Sequence, residues 1–346
     1  MNTSVHPDLV LYSEEKLLPS IPAIEHFAGS EKLMRKAIAI QAERGPVFDI
    51  TLDCEDGAKA GDEQAHAELV AALLMHSDNR FNRIGARIHD ITHPAWKQDL
   101  DLIVGLAGWR LAYISLPKAR GVSDVERVMA HLRAIEVRSG LGREIPLHVI
   151  IETHGAVHQA WQIAALPGVE TLDFGLMDFV SAHHGALPSS CMTSPGQFTH
   201  PLITRAKAET ASAALAHAVV PAHNVSVELA NLEQVEADAH QARTDYGFLR
   251  MWSIHPAQID PILRAMQPAS LDIEEATRII EHAQDANWGP TRQGNRLHDR
   301  ASYRYYWQVL KRAQATGATL PEATRQRFFA QNMLNPSHTS GGHHRA

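Results

Sequence analysis

Eight short apolar runs, separated by longer segments of helical period, succeed one another between residues 23 and 254. The runs fall at 23–28, 47–54, 83–88, 111–116, 146–151, 169–174, 219–223 and 250–254. Ser30 opens the first helical segment, which runs to about Glu43 and would bury Leu33, Ala37 and Ile40 on one face. Further helices are predicted at 62–75, 94–105, 123–138, 157–165, 202–217 and 231–246, and a long Gly/Pro/His loop occupies 181–201. Eight such units in roughly 250 residues are the length of a (β/α)8 TIM barrel, where a doubly wound sheet would usually stop sooner. No glycine fingerprint or phosphate loop follows the first run, which weakens a nucleotide-binding reading further. The expected organisation is an N-terminal extension (1–22), a barrel (23–268), a helical C-terminal extension (269–330) and a tail (331–346) too polar and Gly-rich to pack.

Charge and cysteine content remove whole classes of function. A net charge of −7 offers no basic face for nucleic acid or an anionic membrane. Two cysteines, Cys54 and Cys191, make no disulfide framework, and no apolar run is long enough to cross a bilayer. The N-terminus lacks the basic and apolar regions of a signal peptide, so a cytoplasmic protein is expected.

In a barrel of this kind chemistry gathers at the C-terminal ends of the strands. The second run ends in "DCEDG", which crowds Asp53, Glu55 and Asp56 together. Arg87 and His89 end the third, Lys118 follows the fourth, Glu152 the fifth and Asp178 the sixth, with His223 and His255 after the last two. Gathering ionisable groups costs desolvation and repulsion, so a site rather than a structural role is indicated. Glu152 and Asp178, one βα unit apart, can share a hard divalent cation, Mg²⁺ with Mn²⁺ as its alternative. On this reading Asp53, Glu55 and Asp56 form a mutually repelling wall, and neutralising all three would stabilise the metal-free protein; in the alternative Arg87 is an ion-pair partner of Glu55 or Asp56, and one of the three acids anchors Arg87 or caps the next helix. Gly175, in "DFGLMD", lets backbone approach a ligand.

Six segments in order resemble the HpcH/HpaI aldolase and citrate lyase β-subunit superfamily: "LDCEDGAK", "ARIH", "SLPKA", "IIETHGAV", "LDFGLMDF" and "SIHPAQI". The resemblance implies Mg²⁺ on Glu152 and Asp178 and a substrate carboxylate or keto oxygen on Arg87. It also implies carbon–carbon cleavage or formation beside a carbonyl through a metal-stabilised enolate. Lys118, Gly175 and Met177 are the further substrate-binding candidates, and Asp53, Glu55 or Asp56 would assist proton transfer beside Arg87. The substrate would be a small carboxylated hydroxyacid or its acyl-coenzyme A thioester, and the enzyme a homo-oligomer, trimer or hexamer. Two departures bear on the thioester. No arginine precedes the first strand, and Met251 and Trp252 displace a lysine common before "IHP".

A thioesterase on the same scaffold and a catalytically silent metabolite-binding barrel are the competing readings. His255 is expected as a buried packing histidine, and His183 and His184 as solvated loop residues. Tyr303, Tyr306, Trp307 and Leu310 recur at helical spacing, which means core or subunit contact; family members use this segment to cover a neighbouring subunit's site.

Overall fold

The computed structural model describes residues 5–12, 15–58 and 60–330. Eight parallel strands close a barrel in sequence order: β1 (Ile24–Ala28), β2 (Asp49–Asp53), β3 (Ile84–Arg87), β4 (Leu111–Leu116), β5 (Leu147–Ile151), β6 (Val169–Phe174), β7 (Val220–His223) and β8 (Arg250–Ser253). β1 pairs with β2 on one side and β8 on the other, so no edge remains. The barrel with its surrounding helices is one compact unit, residues 21–266. Its main core lies between strands and helices, where Ile50, Leu52, Val149 and Leu172 meet Met34, Val70, Val128 and Ile203.

Side chains alternate along each strand, so every second residue faces the barrel axis. Those inward positions are unusually polar. Arg250 of β8 donates to Glu25 of β1 (2.9 Å) and Asp49 of β2 (2.6 Å), and Asp49 also takes Arg83 (2.7 and 2.8 Å). His148 of β5 reaches across to Glu25 (3.3 Å), bonds Glu170 (2.9 Å) and stacks on Tyr113 at 3.7 Å. Burial disfavours the protonated ring of His148, but the Glu25 charge and the bonds to Glu170 and Glu25 together overcome it and hold its pKa up at about 9. Two residues further along the strands, Phe27, Ile150, Ala222 and Trp252 form a separate apolar cluster. Asp53, Arg87 and Glu152 belong to the next inward tier. This mostly dry layer lies between two polar ones and is interrupted by the buried Asp173, which registers with Ile150 and Ala222.

The second unit joins the described residues up to Ser20 with those from Gln267. Helices Ser270–Asp285 and Arg300–Ala315 pack on each other, with Tyr303, Trp307 and Leu310 fully buried among Ile279, Ile280 and Ala283. The Trp307 indole donates to Asp8 of the short helix Pro7–Leu11 (2.7 Å). The regular spacing of these aromatics thus serves a core. A hairpin of β9 (Thr291–Gln293) and β10 (Arg296–His298) was not anticipated, since three-residue strands carry no readable period. The tail expected at 331–346 lies outside the described residues.

Two local expectations fail within the barrel. Helix Glu31–Arg44, capped by Ser30, buries Met34, Ala37, Ile38 and Gln41, leaving Leu33 45% exposed. The buried face is rotated because Gln41 turns inward to bond the Phe48 carbonyl (2.7 Å). The helix expected at 157–165 is two short ones, His154–His158 and Ala160–Ala164, broken at Gln159. The side chain of Gln159 accepts the Val122 amide proton (2.9 Å), tying this break to the preceding unit.

Candidate active site

The three acids at the end of β2 and in the loop after it do not stand as an open wall, because two cations bridge them. Arg87 grips Asp53 with a two-pronged bond, Nε to Oδ1 at 2.7 Å and Nη2 to Oδ2 at 2.6 Å, and its Nη1 lies 3.0 Å from Glu55. Lys118 Nζ pairs with Glu55, with Asp56 (2.8 Å) and, at 3.9 Å, with Asp178. Neutralising the acids would strip partners from two cations, so the expected stabilisation is corrected to a loss. Asp53 also accepts the backbone amides of Glu55 (2.9 Å) and Gly57 (2.8 Å). Burial opposes its ionisation, yet Arg87 and these bonds prevail and hold its pKa below the usual carboxylate value. Glu55 goes the other way, because burial outweighs its two cations.

Gly57 ends this loop for a steric reason. A Cβ on Gly57 would lie 2.3 Å from Asp53 Oδ2, and one on Gly29 would lie 1.8 Å from the Gly57 carbonyl oxygen. The end of β1 and the loop after β2 touch backbone to backbone.

Glu152 ends β5 and is buried. Its Oε1 accepts the Lys118 amide proton at 2.6 Å, and Lys118 holds a left-handed φ of 49° to present that amide. Burial, then the charge of Asp178, push the Glu152 carboxyl up to about 8. Asp178 sits in the first turn of helix Leu176–Ser181, where the helix dipole favours an anion. Gly175 precedes that helix because a Cβ there would lie 2.3 Å from Glu152 Oε2 and 2.6 Å from Glu152 Cβ.

A cavity of about 360 Å³ opens above the dry layer, and Asp53, Asp56, Arg87, Glu152, Gly175, Met177 and Asp178 line it. Glu55 and Lys118 instead border an adjoining hollow of about 320 Å³, which Asp56 shares. The expected candidates thus divide between two connected recesses. Residues missed in the sequence complete the first: Phe27, Trp252, Val225 and Asn224. Asn224 donates to Gln197 (3.1 Å) and the Val225 carbonyl (2.9 Å), while its Oδ1 and Trp252 Nε1 have no partner. Counting every second residue from Glu25 and Arg250 would have placed Phe27 and Trp252 inward.

The histidines fall elsewhere. His255 is exposed and caps the turn Pro256–Gln258 by accepting from Ala257 (3.2 Å), which corrects its expected burial. His223 turns into a buried cluster with Lys207 (2.8 Å) and stacks on Phe198. His89 is fixed by Asp99 (2.7 Å) beside His93 and borders the smaller hollow.

The family model for HpcH/HpaI aldolase/citrate lyase matches residues 32–256. A citrate lyase structure from Burkholderia xenovorans LB400 is 52% identical, with a TM-score of 0.83 over 94% of this chain and 100% of that one. An L-malyl-CoA/beta-methylmalyl-CoA lyase of Cereibacter sphaeroides is 27% identical over 78% of this chain and 88% of its own. The CitE protein of Mycobacterium tuberculosis, solved with magnesium, acetoacetate and coenzyme A, shares the fold at 19% identity and a TM-score of 0.65, covering 85% of this chain and 98% of that one.

Proposed function

The chain belongs to the HpcH/HpaI aldolase/citrate lyase family, and we propose that it is a Mg²⁺-dependent lyase that cleaves or forms a carbon–carbon bond beside a carbonyl. Its substrate is a small carboxylated hydroxyacid or the acyl thioester of one. The observation that carries this reading is that Glu152, directly after β5, and Asp178, in the first turn of the helix after β6, line the same cavity as Arg87. Two hard carboxylate donors suit Mg²⁺, and the Glu152 carboxyl, held up at about 8 by burial and Asp178, is a site short of positive charge. When bound, the ion supplies Lewis-acid stabilisation to oxyanion charge developing on the substrate.

The chain's own residues do the rest. Three of the five N–H bonds of Arg87 point at Asp53 and Glu55, which fixes the guanidinium and leaves two for a substrate oxygen. Asp53, engaged on both oxygens, positions Arg87 and has no role left as a proton carrier. Proton transfer falls to Glu55 or Asp56, of which Asp56 lines the cavity and is held by Lys118. Phe27 and Trp252 give the site an apolar floor.

Among the described residues no helix is long and apolar enough to cross a membrane. The reading includes a cytoplasmic homo-oligomer, trimer or hexamer, whose mass light scattering would give. The decisive test of the site is the double variant Glu152→Ala/Asp178→Ala. Calorimetry should show Mg²⁺ binding abolished while the circular dichroism spectrum is retained; unchanged Mg²⁺ affinity would overturn the assignment.

A further inference from the structure

We infer that the end of the substrate remote from the reacting carbonyl is an apolar, uncharged group seated on Phe27 and Trp252, in place of a phosphate-bearing acyl carrier. This rests on the lyase reading above and specifies what that site accepts. The cavity has two unlike halves. One carries Asp53, Arg87, Glu152 and Asp178; the other is made by Phe27, Leu33, Leu176, Val225, Trp252 and Ile254. The Phe27 and Trp252 rings lie 4.4 Å apart in a tilted pair, with the Arg87 guanidinium over the Phe27 ring at 5.2 Å, and each shows a narrow edge to the cavity. At the mouth, Leu33 is 45% exposed and Ile254 41% exposed, so the protein leaves large apolar side chains open to water beside its own cavity. Among the described lining residues Arg87 is the sole cation, and Asp53 and Glu55 already hold it. A branched aliphatic or aromatic substituent suits this apolar lining, which a charged group would have to dehydrate to enter. Its carboxylate end would face Arg87 while its apolar end displaces water from the rings.

Isothermal calorimetry on the Mg²⁺-loaded full chain tests this with pyruvate, 4-methyl-2-oxopentanoate and acetyl-coenzyme A as probes. Each carbon buried is worth roughly fourfold in affinity, so the three extra carbons of the branched acid should tighten binding at least about tenfold over pyruvate. Trp252→Ala should collapse that ratio towards one. Should that variant fail to fold, Ile254→Ser at the exposed rim should reduce the ratio at least about threefold. Equal affinities for the two acids in wild type, or tighter binding of acetyl-coenzyme A than of the branched acid, would overturn the inference and leave the lyase reading standing. Mg²⁺-dependent binding of neither acid would overturn both.

Discussion

Replacing Asp53 with Asn isolates what the charge of the acidic loop is for. Asp53 accepts four bonds, two from Arg87 at 2.6 and 2.7 Å and two backbone amides at 2.8 and 2.9 Å. An amide keeps one acceptor and turns an N–H donor towards a donor. Arg87 is 12% exposed and would be left with Glu55 as its acidic partner. Breaking a buried charge pair from one side costs about 3–5 kcal/mol. For a unit of this size that is a fall of roughly 6–20 °C in melting temperature. Urea unfolding at pH 7 measures it directly. The pH dependence carries a second signature. The folded-state pKa of Asp53 is depressed, so its contribution is complete above the unfolded value near 3.9 and disappears as pH falls through the lower folded value. The gap between wild type and variant should therefore be constant from about pH 5 upward and close in acid. A variant within about 0.5 kcal/mol of wild type at pH 7 would refute the argument, since surface substitutions cost that little.

Gly175→Ala should lose stability by about 1–3 kcal/mol and weaken Mg²⁺ binding, because its Cβ would lie 2.3 Å from Glu152 Oε2; calorimetry with urea titration checks both. Arg87→Lys replaces a fork by a point charge, and saturation kinetics should show substrate affinity falling at least about tenfold. The stability that His148 contributes is complete below an unfolded pKa near 6.5 and is lost as pH rises through about 9; His148→Gln should remove that alkaline decline in melting temperature.

The barrel was legible because the strand–helix alternation survives almost every local irregularity. β4 and β6 fall where the apolar runs put them, at Leu111–Leu116 and Val169–Phe174. Strand-end position then brought Asp53, Arg87, Glu152 and Asp178 together, since parallel closure puts all C-terminal ends on one face. Pairing was legible only as an alternative, with Arg87 anchored by one of the acids after β2. Whether Glu55 repels Asp53 or shares Arg87 with it depends on distances of a few ångströms across β2 and β3, which the order of residues does not encode. Leu33 shows the same limit: a helical period identifies a stripe, and Gln41 decided which stripe turned inward. Phe27 and Trp252 do not stand out as cavity residues in the sequence, because an aromatic residue in a strand ordinarily means core.

Arg250 has a consequence for how the chain is made. It is the counter-ion of Glu25 and Asp49, yet it follows them by 225 and 201 residues. On a ribosome adding 5–20 residues each second, roughly 10–40 s separate Asp49 from its partner. During that interval Asp49 can draw on Arg83 and Glu25 on His148, but each still lacks its second cationic partner. The arrival of β8 brings that last positive charge and the last backbone partner of β1 in the same four residues. Closure is thereby deferred to the moment when the sheet can be finished.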